Sequence, residues 1–154
     1  ETLIDHKLPP DFEQEFRRRS FELFKTDIKP INGVPELLEK ITLPYAVASS
    51  GPMAKIKLNL KATGLIDKFG DNIFSSYDIG SWKPDPGIFL HAADKMGFPP
   101  SDCLVIEDSV SGVQAAQRGG FDVVALAQNH TYEGLKKQGV KVIWNLDDLE
   151  SLIA

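Results

Sequence analysis

Short apolar runs alternate along the chain with longer segments in which apolar residues recur at every third or fourth position. The short runs are apolar throughout, which is typical of strands in a parallel sheet covered on both faces. The longer segments predict amphipathic helices that connect the strands. The predicted fold class is therefore α/β, a Rossmann-like parallel sheet with flanking helices. The predicted strands are residues 45–48, 73–74, 104–106, 123–126 and 142–143.

Proline and glycine mark the ends of the predicted helices. Pro52 and Pro86 suit the first position of a helix, and Gly64 and Gly97 suit the position just past its end. Asp85 is placed to cap the helix that Pro86 opens. The predicted helices are residues 11–25, 52–63, 86–96, 110–118, 132–138 and 147–153.

A break in this pattern divides the chain near residue 32. The sequence Asn-Gly-Val-Pro at 32–35 separates an N-terminal helix, rich in phenylalanine and charge, from the alternating part. We therefore expect two units, residues 1–30 and residues 31–154, and the sheet belongs to the second.

Composition and charge exclude several classes of function. The 154 residues carry a formal net charge of −5, whereas nucleic-acid binding needs clustered Lys and Arg. The basic run Arg17, Arg18 and Arg19 lies in a helical pattern and is interpreted as a solvated face. No apolar run reaches the ~20 residues of a membrane span, and the single cysteine, Cys103, cannot form an intrachain disulfide. We expect a cytoplasmic enzyme that binds neither nucleic acid nor membrane.

Open parallel sheets bind ligands at the carboxyl ends of their strands, and three such ends are polar in this sequence. At the first of them, Ser49, Ser50 and Gly51 join a strand to a helix. Hydroxyl groups and free backbone N–H groups at a helix start can bind an anion such as phosphate, and Gly51 lets the backbone approach closely. The alternative is an ordinary helix cap, because serine is favoured at that position.

The other two strand ends carry opposite charges. Lys83 stands in a loop stiffened by prolines, where it can neutralise phosphate; the alternative is a plain surface lysine. Glu107 and Asp108 follow a buried strand, where two carboxylates suit a hard cation such as Mg²⁺. Asp108 is the better ligand, with Glu107 as a second ligand or water-mediated partner, and the alternative is that Asp108 caps the next helix. Together, the three ends predict one phosphate–Mg²⁺ site.

These segments resemble motifs two, three and four of the haloacid dehalogenase superfamily of phosphotransferases. The matching residues are 46–51, 83–86 and 106–112, and the likeness covers about residues 30–154. It is closest to the branch of sugar-phosphate phosphatases and β-phosphoglucomutases. Residues 77–79, together with residues 82–86, are similar to a 6-phosphogluconate phosphatase type within that branch.

The resemblance implies a role for each candidate residue. Ser49 hydrogen-bonds the transferring phosphoryl group, Lys83 steadies its charge, and Asp108 holds Mg²⁺ with Glu107 assisting. The N-terminal helix resembles the last part of a helical cap that closes over substrate, so residues 1–30 are expected to be cap and residues 31–154 to be the core.

One family element has no counterpart in this sequence. The family's nucleophile is the first aspartate of an Asp-x-Asp-Gly-Thr segment, at the end of a central strand between the strands that end at Ala48 and Ile106 here. The 154 residues contain no such segment. We therefore expect a fragment of a protein of about 210–230 residues, a normal size for one core plus a cap, and we expect the fragment alone to be inactive.

For the complete protein, the resemblance implies Mg²⁺-dependent hydrolysis of a small phosphomonoester, such as a sugar phosphate, through an aspartyl-phosphate. Two alternatives stay open. One is an isomerase of the β-phosphoglucomutase type, which returns the phosphoryl group to a second sugar hydroxyl. The other is a catalytically inactive module that only binds phosphate.

Overall fold

The computed structural model describes residues 8–26 and 28–149. Helices and short strands alternate along most of this length. The described helices are α1 (Phe12–Thr26), α2 (Val34–Lys40), α3 (Met53–Ala62), α4 (Ile66–Phe69), α5 (Ser76–Ile79), α6 (Gly87–Met96), α7 (Val110–Arg118) and α8 (Tyr132–Lys136), with a 3₁₀-helix at Pro100–Asp102. The described strands are β1 (Val47–Ser49), β2 (Ile73–Ser75), β3 (Leu104–Glu107), β4 (Asp122–Leu126) and β5 (Lys141–Ile143).

The described strands form two parallel sheets. In the first sheet β1 pairs with β2, and Ala48 lies opposite Phe74. In the second sheet β4 lies between β3 and β5, and Ile106 lies opposite Val124. Within residues 8–26 and 28–149, β1 and β3 are not hydrogen-bonded to each other. Parallel strands with flanking helices confirm the predicted α/β fold class.

One edge of β1 faces away from its partner strand. The Val47 N–H donates to the Asn72 carbonyl at 2.9 Å, on the β2 side. Backbone groups of successive strand residues point to opposite edges, so the N–H and C=O of Ala48 point away from β2. The sheet containing β1 therefore presents an edge that β2 does not occupy.

Helices α6 and α7 cover one face of both sheets. Ala48 and Phe74 reach their apolar cluster from the first sheet, and Val105 and Val123 reach it from the second. The buried members of the cluster are Ile88, Phe89, Ala93, Val105, Ala115, Ala116 and Phe121. The two sheets therefore share one hydrophobic core, and burial of this cluster rather than a hydrogen-bonded ladder holds them together.

The opposite face of the second sheet is covered unevenly. Val124 and Ile143 pack against α2 and the segment that follows β5. Leu104 and Ile106 on β3 remain 37% and 41% exposed. The described elements therefore leave that side of β3 open.

Helix α2 is not among the predicted helices, because the sequence Asn-Gly-Val-Pro at 32–35 is typical of a break between elements. Gly33 adopts a φ of 85°, a conformation that glycine reaches without steric cost, and the helix begins at the next residue. Pro35 lies in the first turn, where its missing N–H is not needed. Seven residues are too few for a helical period to stand out. The division into units 1–30 and 31–154 stays a prediction.

Two residues of the basic run, Arg18 and Arg19, lie on the solvated side of the N-terminal helix. Arg18 and Arg19 are exposed, and both pair with Glu15, at 2.8 Å and 2.6 Å. These two guanidinium groups lower the pKa of Glu15 to about 2. Of the predicted cap, residues 1–7 and 27 lie outside the described residues, as do residues 150–153 of the predicted last helix, which begins at residue 147. Across the described part of the chain, no helix has the length and apolar character needed to cross a membrane.

Candidate active site

Ser49 ends β1 and shapes the turn into the next helix. Its Oγ accepts a hydrogen bond from the Gly51 N–H at 3.1 Å. From the neighbouring strand, Ser75 donates its hydroxyl to the Gly51 carbonyl at 2.7 Å, which fixes the turn against β2. Pro52 precedes the first residue of α3, and no side chain caps that helix. The alternative role of Ser49 as a helix cap is therefore excluded, while Ser50 lies half-buried in the same turn.

The side chain of Lys83 is largely shielded from solvent, although its loop lies at the surface. Its side chain is only 12% exposed, and its ammonium group forms an ion pair with Glu107. The same group donates to the Ala48 carbonyl at 3.3 Å and lies 4.6 Å from the centre of the Phe89 ring. The alternative of a plain surface lysine is excluded. The ammonium group contacts the ends of both β1 and β3 and so bridges the two sheets.

The loop that carries Lys83 is fixed at two further points. Asp85 accepts hydrogen bonds from the Ser81 hydroxyl and from the Gly87 N–H, the latter at 2.9 Å. These donors lower the pKa of Asp85. The sequence places Asp85 as the cap of this helix and Pro86 at its first position, but α6 begins at Gly87, Pro86 is its N-cap residue, and no side chain caps it. From the last turn of α7, Arg118 donates to the Pro84 carbonyl at 2.9 Å. Arg118 and Pro84 are 34 positions apart, so no local sequence pattern predicts this contact.

Two exposed aromatic side chains flank the same loop. Trp82 and Tyr77 are 47% and 49% exposed, and their rings meet edge to face with centroids 5.4 Å apart. Trp82 immediately precedes Lys83 in the sequence, so this exposed pair lies next to a residue of the predicted site.

Glu107 ends β3 with its carboxylate almost fully shielded from solvent. The residue is 9% exposed. One carboxylate oxygen accepts the Lys83 ammonium, and the other accepts the Ser109 hydroxyl at 2.9 Å and the Ser109 N–H at 3.3 Å. A buried carboxylate is stable only when it is paired and hydrogen-bonded, and both of these oxygens are.

Asp108 differs from Glu107 in both exposure and hydrogen bonding. It is exposed, and it has no hydrogen bond or ion pair to the part of the chain that the structure describes. The cap of α7 is Ser109, whose Oγ accepts the Gly112 N–H at 3.0 Å. The alternative of Asp108 as the helix cap is therefore excluded. Its carboxylate oxygens remain available to a ligand.

The structure thus brings the three predicted strand ends to one place. Lys83 touches the carbonyl that precedes Ser49 and the carboxylate that precedes Asp108. Within residues 8–26 and 28–149, no three acidic, histidine or cysteine side chains cluster closely enough to hold a metal ion by themselves. The described residues therefore supply a hydroxyl, an ammonium group and one available carboxylate at a shared edge.

Known proteins share this architecture. Over 111 residues the chain is 36% identical to 6-phosphogluconate phosphatase of Escherichia coli (strain K12), a match that covers 72% of this chain and 50% of that protein. The chain therefore spans about half the length of this curated relative.

Solved structures agree with this similarity. A conserved haloacid dehalogenase-like protein of unknown function from Agrobacterium tumefaciens superimposes with a TM-score of 0.86 and 29% identity, over 96% of this chain and 70% of that one. A haloacid dehalogenase family hydrolase from Deinococcus radiodurans, solved with bound phosphate and sodium, gives a TM-score of 0.85 and 26% identity, over 99% and 71%. The family model for haloacid dehalogenase-like hydrolases matches residues 2–120, and the chain belongs to that family.

Proposed function

We propose that the complete protein is a Mg²⁺-dependent phosphomonoester hydrolase that acts on a small phosphorylated metabolite. The observation that carries this proposal is the position of Lys83. Its ammonium group is held between Ala48 and Glu107, at the ends of β1 and β3, and its side chain is 12% exposed. A fixed, shielded positive charge at the carboxyl ends of parallel strands is suited to offset the charge of phosphoryl oxygens.

The turn after β1 is proposed to hold the phosphoryl group beside that charge. Because the Ser49 Oγ accepts its hydrogen bond from Gly51, its own proton is free to be donated to a phosphoryl oxygen. Ser50 adds a second hydroxyl and a backbone N–H in the same turn. The phosphate in the Deinococcus radiodurans hydrolase supports an anion site in this fold.

Asp108 is proposed to bind the metal. Its exposed carboxylate, without a partner among the described residues, is the kind of oxygen donor that Mg²⁺ prefers. Glu107, the second predicted ligand, has both oxygens engaged, so the remaining ligands would come from water, substrate or residues outside the described ones. When bound, the ion would supply positive charge to the phosphoryl oxygens.

The nucleophile is proposed to lie on a further strand that is not among these 154 residues. The absence of hydrogen bonds between β1 and β3 in the described part of the chain supports this, as does the edge of Ala48 that points away from β2. An aspartate at the end of that strand would attack phosphorus, forming an aspartyl-phosphate that water then hydrolyses. Residues 1–30 are proposed to belong to the helical cap.

A sugar phosphate is the proposed substrate class, supported by the similarity to 6-phosphogluconate phosphatase. The test is to incubate the complete protein with 6-phosphogluconate and with hexose phosphates, with and without Mg²⁺, and to measure released phosphate. We expect release only with Mg²⁺. Conversion of a hexose phosphate without release would instead establish the mutase alternative.

The 154-residue chain provides the second arm of the test. We expect it to bind inorganic phosphate weakly and to leave p-nitrophenyl phosphate intact, because it lacks the proposed nucleophile. Robust Mg²⁺-dependent hydrolysis by this chain would contradict the assignment of the nucleophile to a missing strand.

A further inference from the structure

The carboxylate of Glu107 lies directly against the backbone of α7. Gly112, in the first turn of that helix, is buried, and a β-carbon built on it would overlap the carboxylate of Glu107. The space occupied by the carboxylate therefore exists only because residue 112 has no side chain. Gly112 has ordinary helical backbone geometry, so backbone conformation does not require glycine there.

Ser109 closes this arrangement into a ring of contacts. Its Oγ donates to Glu107 at 2.9 Å and accepts the Gly112 N–H at 3.0 Å. The carboxylate is thus fixed on one side by Ser109 and on another by the Gly112 backbone. Its remaining oxygen is directed at Lys83.

We propose that Glu107 is a positioning residue that holds the Lys83 ammonium group in place for the phosphoryl group, and that Gly112 provides the space this requires. This inference rests on the proposed function, in which Lys83 contacts substrate. It assigns metal binding to Asp108, whose carboxylate has no partner among the described residues, rather than to Glu107, whose carboxylate already accepts the Lys83 ammonium group and the Ser109 hydroxyl. In this proposal, the motif Glu-x-Ser-x-x-Gly at 107–112 holds the Lys83 ammonium group in position.

The test is Gly112→Ala in the complete protein, with Gln114→Ala as the matched control. Gln114 lies on the same helix and bonds Gln138 instead of Glu107. Alanine forms helices better than glycine does, so a loss of function in the first variant cannot come from helix propensity. Far-UV circular dichroism measures whether both variants fold. If Gly112→Ala does not fold, Glu107→Gln, which keeps the volume of the side chain, tests the same ion pair.

Two measurements report on the position of Lys83 without reporting merely on stability. The first is the rate of reductive methylation of Lys83, followed by mass spectrometry, which we expect to rise about tenfold in Gly112→Ala and in Glu107→Gln as the ion pair is lost. The second is the KM for the phosphomonoester, which we expect to rise about tenfold while the half-saturating Mg²⁺ concentration stays within about twofold. Gln114→Ala should change neither.

A double variant gives the sharpest comparison. In a Glu107→Asp background the shorter side chain already withdraws the carboxylate from residue 112, so adding Gly112→Ala should then change the methylation rate by less than about twofold. A full tenfold effect in that background would overturn the proposal.

Other outcomes separate this inference from the function it rests on. If Gly112→Ala and Glu107→Gln raise the half-saturating Mg²⁺ concentration and leave Lys83 methylation unchanged, Glu107 is a metal ligand and the inference fails. If the wild-type protein releases no phosphate from any phosphomonoester, the proposed function fails, and the methylation rates alone still decide whether Glu107 and Gly112 hold Lys83.

Discussion

Lys83 and Glu107 form an ion pair whose side chains are only 12% and 8% exposed. Such a pair costs desolvation energy on both sides, and its net contribution to stability is small when both partners are present. We therefore expect this ion pair to fix the position of the Lys83 ammonium group rather than to stabilise the fold. Removing one partner alone is a different matter, since the other is then left charged, shielded and unpaired.

The first prediction follows from that asymmetry. Lys83→Met should lower the free energy of unfolding of the 154-residue chain by about 3 kcal/mol, and the double variant Lys83→Met with Glu107→Gln should recover a large part of the loss. Urea denaturation of the wild type and both variants measures this. A double variant less stable than the single one would show that the buried charge is not the cause.

Asp108 is predicted to behave in the opposite way. Because it is exposed and has no partner among the described residues, Asp108→Ala should change the free energy of unfolding by less than about 0.5 kcal/mol. In the complete protein the same change should reduce Mg²⁺-dependent phosphate release at least about 100-fold. Stability from urea denaturation and turnover from phosphate release are compared in parallel, and retained turnover would remove the metal assignment.

At the scale of elements, the start of α7 matters most for the site. The Ser109 hydroxyl caps the helix through Gly112 and also donates to Glu107. Ser109→Ala should therefore cost about 2 kcal/mol, more than the loss of a cap alone. Ser111→Ala, whose hydroxyl touches only the Ser109 Oγ within the described residues, is the control and should cost little. Thermal unfolding of both variants makes the comparison.

The start of α6 should respond to pH. The pKa of Asp85 is lowered in the folded protein by the Ser81 hydroxyl and the Gly87 N–H. A lowered folded pKa means stabilisation that is present above the unfolded value of about 3.9 and lost as pH falls through the folded value. Asp85→Asn should therefore lower Tm at pH 7 and have a smaller effect near pH 2.5.

The control is Asp94→Asn on the same helix, since Asp94 makes no side-chain hydrogen bond within the described residues. Its Tm at pH 7 should stay close to that of the wild type, because the substitution removes no hydrogen bond. An Asp85→Asn difference that did not shrink in acid would contradict the role assigned to the two donors.

The sequence predicts elements well where a local signal exists. The predicted helix 110–118 is α7 as observed, since Gly119 and Gly120 end its apolar pattern. Strand ends were predictable because apolar runs stop at polar residues. Contacts between distant residues could not be predicted in this way. No local pattern indicates that the Lys83 side chain is shielded or that it contacts Ala48, 35 positions away. Gly112 was visible in the sequence, but its purpose depends on where the Glu107 side chain lies.

At the scale of the whole molecule, two sheets share one core without a common ladder among the described strands. Helices α6 and α7 join them on one face, and Lys83 joins them at one end. The exposed side chains of Leu104 and Ile106 lie on the side that these helices do not cover. This arrangement supports the proposal of a further strand between β1 and β3.

Hydrogen exchange tests whether a further strand pairs with the edge of β1 that β2 does not occupy. The Ala48 N–H points away from β2, so it should exchange rapidly in the 154-residue chain and be protected at least about 100-fold in the proposed complete protein. The Val47 N–H, bonded to Asn72, is the internal control and should be protected in both. Equal protection of Ala48 in the two proteins would argue against a strand at that edge.

The aromatic side chain beside Lys83 gives the molecule a built-in optical reporter. The chain has two tryptophans, Trp82 in the site loop and Trp144 just after β5, where it stacks on Tyr132 at 4.9 Å. Because Trp82 is 47% exposed, its emission depends on the solvent around the loop. A Trp144→Phe variant would keep an aromatic ring against Tyr132 and leave Trp82 as the single tryptophan, next to the ammonium group proposed to contact phosphate. Ligand binding could then be followed as a change in Trp82 fluorescence emission, without measuring turnover.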